Sequence, residues 1–302
     1  MKLARTIGWA LVTALATLGT GPAGAATVWE WNFSTSNDGC GGANEPACAA
    51  NGTTWGNARK WTGTATPASS PAINVTASAW SNTNGNAINT SQGSPSDGTI
   101  ESAYLAHFSG NGLGVQNRDG NTSDITEPNA PEHAIDNNQR FDSTLFDFGQ
   151  KVTLTNVNIG WVHSGDANNP SNSDADLSIF AYIGTGAPTI AGQTYSSLIS
   201  SSNWVKSDYN FNNAGLKTVN PLQTDAQYWL IAGYIPSSAA LNCNVKTDTK
   251  TGVQYVDPCD DYIKLAGLTA TTNGKVPEPG TLGLLGLALA GIVFSRRRTA
   301  TT

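Results

Sequence analysis

An all-β fold, a two-sheet sandwich of jelly-roll type with long loops, is what this chain predicts, and three observations predict it. Short runs alternate apolar and polar residues with the period of two that belongs to half-buried strands. Residues that favour turns separate them: the 302 residues include 32 glycines and 14 prolines, and Asn, Ser and Thr are abundant throughout. Helical spacing is confined to residues 193–202, where Tyr195, Leu198 and Ile199 share a face, enough for one short helix. Only 13% of the chain is charged, with nine tryptophans and a single methionine. That is the composition of an extracellular β-rich protein rather than a cytosolic helical enzyme.

At the start, Lys2 and Arg5 precede an apolar run over residues 7–18 and then Ala23-Gly24-Ala25, the three parts of a cleaved signal peptide over residues 1–25. The first strand covers residues 27–33 and puts Trp29, Trp31 and Phe33 on one face. Residues 37–51 read as a Gly-rich loop, residues 73–77 as the next alternating run, and residues 81–98 as loop. Residues 100–108 read as a strand with Ile100, Tyr104 and Phe108 inward. The longest irregular stretch, residues 110–138, is acidic, and loops of that length are usually functional or disordered.

Residues 143–148 and 151–162 read as a strand pair. In the second, Val152 and Leu154 lie on one parity and Val157, Ile159 and Trp161 on the other, the mark of a β-bulge near Thr155-Asn156. The nearly continuous apolar runs 177–183 and 228–235 fit strands buried on both sides, and residues 263–269 are the final strand. Many short strands with turns between them are what point to the jelly-roll sandwich. The body spans residues 26–274, with residues 267–276 as its polar linker to a terminal segment over residues 275–302.

That segment carries Pro277-Glu278-Pro279, fourteen uncharged residues from Thr281 to Phe294, and then Arg296, Arg297 and Arg298. A helix of fourteen residues spans roughly 21 Å, short of the ~30 Å hydrocarbon core, but arginines snorkel to the interface and favour the cytoplasmic side. The arrangement resembles the PEP-CTERM sorting signal of Gram-negative bacteria. The resemblance implies recognition and removal of the tail by the membrane protease-transpeptidase exosortase, with transient anchoring in the inner membrane by the short transmembrane helix. A second likeness rests on residues 133–137 (His-Ala-Ile-Asp-Asn), Phe146-Asp-Phe148, Ile159-Gly-Trp161 and the run from Asp174 to Tyr182. Residues 112–183 look like a family of exosortase-dependent surface proteins, which implies a surface or biofilm-matrix role and transfers no catalytic residue.

The formal net charge is −6. Removing both ends takes away Lys2, Arg5, Arg296, Arg297 and Arg298 together with Glu278, which leaves the body near −10. Such a body is a poor partner for nucleic acid or anionic lipid and suits solubility and cation binding. Four cysteines allow three connectivities; export to an oxidising space and nearness in sequence favour Cys40 with Cys48 and Cys243 with Cys259.

Three histidines, His107, His133 and His163, and the absence of Gly-x-Ser-x-Gly, His-Glu-x-x-His and Walker patterns argue against an enzyme. Carboxylate pairs of the glycosidase kind, defined by their separation in space, make an exported glycan hydrolase the third reading. Oxygen ligands are the better signal. Asp119, Asn121, Asp124 and Glu127 form one set for calcium, and Asp166, Asp174 and Asp176 a second, although Asp and Asn also make ordinary turns. Trp55, Trp61, Trp80 and Trp204 sit nearest polar stretches and are the candidates for a sugar platform. The reading is an exported structural or adhesive protein, with a Ca²⁺-dependent carbohydrate-binding module as the alternative and exosortase and exopolysaccharide as partners.

Overall fold

Alternation becomes strand wherever one parity is apolar. The computed structural model describes residues 26–35, 57–84, 98–116, 134–137, 140–163, 175–237, 245–247, 254–256 and 261–272. The first strands are β1 (Thr27–Asn32), β2 (Ala58–Thr62), β3 (Thr64–Thr66), β4 (Asn74–Asn84), β5 (Thr99–Ser102), β6 (Tyr104–Phe108), β7 (Gly112–Gln116), β8 (Ile135–Asp136) and the long β9 (Asp142–Val162). Then come β10 (Leu177–Tyr182), helix α1 (Tyr195–Ser200), β11 (Trp204–Tyr209), β12 (Gly215–Thr218), β13 (Asp225–Gly233), β14 (Val245–Thr247), β15 (Gln254–Val256) and β16 (Tyr262–Thr272).

The all-β class stands, but the ladder does not divide into the two sheets of a jelly roll. Among the described residues, fourteen strands join in one open antiparallel sheet, and β14 and β15 form a separate pair. The reason is β9, whose 21 residues serve both halves. Its beginning lies between β4 (Thr76↔Asp147 to Ser81↔Asp142) and β13 (Tyr228↔Asp147 to Ala232↔Ser143). Its end lies between β16 and β12. The runs 143–148 and 151–162 are therefore not a pair but two arms of one strand. β13 passes both arms, pairing Ala226 with Val152 and Tyr228 with Asp147, so residues 148–151 bulge out between them.

The sheet must fold back on itself. Trp31 pairs with Leu268, and Leu268 with Val157. On a flat sheet Trp31 would lie roughly 30 Å along the strands from Phe148, nine residues before Val157. Instead the two rings are 4.8 Å apart, edge to face, and Phe33 stacks on Phe146 at 5.6 Å. The apolar face of β1 thus closes on the first arm of β9 and forms one core with Trp61, Val75, Ile179, Trp229 and Ile231. Each large side chain so buried contributes about 1.5–3 kcal/mol.

A second cluster explains the continuous apolar runs. β10 and β13 turn Ile179, Trp229 and Ile231 to the main core and Phe180, Leu230 and Ala232 to the other side. There α1 covers them with Tyr195 and Leu198. Thr194 and Ser197 close a capping box at its N-terminus, as Ser and Thr hydroxyls do when they satisfy the first free N–H groups.

The bulge expected near Thr155-Asn156 is present. Thr269 pairs with Asn156 and Ala270 with Leu154, so Thr155 has no cross-strand partner on β16. Other expectations shift. The run 100–108 breaks at Ala103, whose N–H donates to the Ala79 carbonyl, so β5 follows β4 while β6 pairs with β7. Leu105 is then fully buried, and Tyr104 and Phe108 are only half-buried. β7 and β8 occupy parts of the stretch expected to be irregular, β4 continues to Asn84, and β16 takes up residues 267–272 of the expected linker.

Candidate functional site

The register gathers many strand ends at one place. Val162, the last residue of β9, pairs with Ile263 at the start of β16, and Ile263 also pairs with Ile135 of β8. The end of β13 meets the start of β10 through Gly233↔Leu177, and a Cβ on Gly233 would lie 3.0 Å from the Asp136 carbonyl carbon. The described residues around 137, 162, 177, 233 and 263 therefore converge.

A polar network ties these ends together. Asp261 accepts from the Asp176 backbone N–H (2.9 Å) and from Asn137 Nδ2 (2.8 Å), and the Asp261 N–H donates to Asn137 Oδ1 (2.8 Å). Asn137 Nδ2 also donates to the Tyr234 carbonyl (2.9 Å). Asp176 accepts from the Phe211 N–H and from Asn210 Nδ2, both at 3.0 Å. Asp176, Asn137 and Asp261 are buried, and hydrogen bonds from backbone and amide donors stabilise their charged or polar form there. Burial, followed by the negative charges of Asp208, Asp176 and Asp261, pushes the Tyr234 phenol above its ordinary pKa.

Beside this network lies a cation among rings. A bulge creates it. Lys264 pairs with Trp161 but Leu265 with Ile159, so Gly160 is the extra residue on β9. Two residues apart on a regular strand share a face; here the bulge turns Trp161 away from the core that holds Ile159. Trp161 was expected to share a face with Val157 and Ile159, and it is half-buried on the opposite face instead. Only glycine fits at 160, because a Cβ there would meet the Asn111 carbonyl oxygen at 2.2 Å and the Ala266 Cβ at 2.7 Å. Gly112 is equally constrained: its φ is +99°, and a Cβ would meet the Leu265 carbonyl oxygen at 1.9 Å. The β6–β7 hairpin thereby seats tightly and brings Phe108 over β16.

The result is that the Lys264 Nζ stands 3.9 Å from the centre of the Phe108 ring and 4.4 Å from that of Trp161. Lys264 is 8% exposed, and among the described residues no carboxylate or carbonyl accepts from it. A desolvated cation over a ring gains about 2 kcal/mol, well short of what a counter-ion supplies. Burial pushes the ammonium below the usual lysine range. Lys206, also set among rings, differs in having a counter-ion, Asp208 at 2.5 Å. His163 completes the cluster, 5.8 Å from the Trp161 ring and 5.6 Å from that of Tyr262, and burial lowers its pKa.

Of the residues singled out from sequence, Asp176 alone of the second calcium set lies within the described residues. Asp119, Asn121, Asp124, Glu127, Asp166 and Asp174 lie outside them, as do Cys40, Cys48, Cys243, Cys259, His133, Trp55, the signal segment 1–25 and Pro277, Glu278, Pro279, Arg296, Arg297 and Arg298. Among the described residues no group of three or more His, Cys, Asp or Glu is placed to hold a metal, and no helix is long and apolar enough to cross a membrane. Of the sugar-platform candidates, Trp61 and Trp204 are buried at 4% and 8% exposure, and Trp80 is half-buried with its indole N–H on Ser78. Sequence reading missed Lys264. Its signals were a lysine inside the apolar run Ile263-Lys264-Leu265 and a glycine inside a strand at 160, which marks a bulge or a close backbone approach.

Residues 275–298 match the PEP-CTERM protein-sorting motif. That motif marks an exported bacterial protein sorted to the surface through exosortase. No curated protein and no solved structure matches the chain.

Proposed function

We propose that this exported, exosortase-sorted chain is a non-enzymatic surface or exopolysaccharide-matrix protein with a structural or adhesive role in a Gram-negative biofilm. The sorting motif at residues 275–298 carries the reading. The short apolar segment anchors the precursor in the inner membrane until exosortase removes it, and the β body passes to the matrix. The folded-back sheet, with its deep aromatic core, suits a protein that must persist outside the cell. The test is intact-mass analysis of the protein recovered from the cell surface and matrix. It should lack the first ~25 residues and the segment after about Pro277. Recovery of mature protein that keeps Arg296 to Arg298 overturns the processing claim, and an unchanged surface fraction after deletion of residues 275–302 overturns the sorting role.

The second reading, a Ca²⁺-dependent carbohydrate-binding module, is favoured by the half-buried aromatic cluster around Lys264 and by the gathering of strand ends beside Asp176 and Asp261. In it, calcium held by Asp119, Asn121, Asp124 and Glu127, with a second ion at Asp166, Asp174 and Asp176, fixes acidic segments that would otherwise repel one another.

A further inference from the structure

We propose that Lys264, Trp161 and Phe108, flanked by His163 and Tyr262, form a subsite for a carboxylated sugar residue of an acidic polysaccharide. This deepens the matrix reading by naming the polymer class, and rests on that reading for where the polymer is met.

Three observations carry it. First, Lys264 is nine-tenths buried, yet its Nζ has only the Phe108 and Trp161 rings as partners among the described residues. An ammonium largely taken out of water and left without a counter-ion is unfavourable, and an incoming carboxylate supplies what the fold leaves out. Lys206 shows the other solution, since its own Asp208 neutralises it. Second, the rings beside the cation are half-buried, so each keeps open surface. Ring faces carry negative charge and repel a bare anion, whereas they attract the C–H groups of a pyranose. A uronate presents both on one ring, its carboxylate to Nζ and its C–H face to Trp161. A small inorganic anion would use the lysine and gain nothing from the indole.

Third, the geometry is enforced. The Gly160 bulge turns Trp161 outward, and the tight seating of Gly112 against Leu265 holds the hairpin that carries Phe108. His163, whose pKa burial lowers, presents in its neutral form one ring nitrogen as donor and one as acceptor, the pair that sugar hydroxyls need. The overall negative charge does not favour free anions, so affinity depends on this local pairing of cation and rings.

The experiment is calorimetric titration of the full exported chain with a galacturonic acid trimer, its carboxyl-reduced galactose trimer, and a short peptide ending in a free carboxylate. The uronate trimer is expected to bind roughly tenfold or more tightly than the reduced trimer, as a lost charge-assisted hydrogen bond implies. Lys264→Met should abolish that preference while melting no lower than the parent, because it replaces a buried charge by an apolar chain of similar length. Lys264→Arg should keep the preference, and Trp161→Ala should weaken both trimers alike. Equal binding of the two trimers, no binding of the uronate, tighter binding of the peptide, or full uronate affinity in Lys264→Met overturns the proposal. If Lys264→Met does not fold, Lys264→Arg decides: loss of the preference in a folded arginine variant also overturns it. None of these results bears on processing at residues 275–298, which the mass analysis reads separately.

Discussion

Gly160→Ala is the sharpest test of how the fold builds its aromatic cluster. An alanine Cβ at this position would lie 2.2 Å from the Asn111 carbonyl oxygen, 2.9 Å from its carbon and 2.7 Å from the Ala266 Cβ. Ordinary contact begins near 3.4 Å, so the β6–β7 turn must lift by roughly 1 Å or β9 must withdraw from it. The obstacle is backbone, not the tip of a flexible side chain. Overpacking of this kind costs about 1–3 kcal/mol, and a rigid carbonyl places it toward the upper end. For a domain of this size each kcal/mol shifts the melting temperature by about 2–4 °C, so a drop of roughly 6–12 °C is expected. Calorimetric melting of parent and variant reads it directly. Gly149→Ala is the control: nothing lies within 4 Å of its Cβ position, and its φ of +67° leaves only the left-handed backbone cost of about 1–2 kcal/mol. Lifting the turn also moves Phe108 off Lys264, so the variant's tryptophan emission should shift to the red. A variant that melts within ~2 °C of the parent would refute the bulge argument.

Further outcomes follow from the same structure and sequence. Non-reducing peptide mapping should find Cys40–Cys48 and Cys243–Cys259; the second would close a segment of ~15 residues around the β14–β15 ladder, worth about 3 kcal/mol, and a cross-pair or four free thiols would refute it. Millimolar Ca²⁺ should raise the melting temperature by binding the folded state, about 2.7 kcal/mol at a hundredfold excess over Kd, and Asp124→Ala should remove the shift; no bound metal and an unchanged melt would return these acids to turn duty. His163 has a folded pKa depressed by burial, so the unfolded chain binds the extra proton first. Its contribution is full above the unfolded value of about 6.5 and is lost as pH falls from there toward the folded pKa, so His163→Gln should flatten that part of the melting-against-pH curve, and identical slopes would remove the histidine from the account.

Local period and local chemistry were legible along the chain. Trp29, Trp31 and Phe33 had to share a face because side chains alternate, and all three are buried. The phase change between Leu154 and Val157 had to be a bulge, and Thr155 is that bulge. The sorting segment was legible because its recognition depends on a linear string, Pro277-Glu278-Pro279 with its apolar run and arginines, rather than on packing. Partnership lay beyond it. Whether 143–148 and 151–162 paired with each other or lay in line depended on β13 running past both arms, eighty residues away in the chain. One curled sheet replaced two because β9 is shared, and that choice is made by long-range ladders. The outward turn of Trp161 needed the bulge at Gly160, where only glycine fits against the carbonyl of Asn111, about fifty residues earlier. Lys264 became a candidate only when that turn set two rings beside it, because a counter-ion's absence is a property of a neighbourhood and the chain order does not contain it.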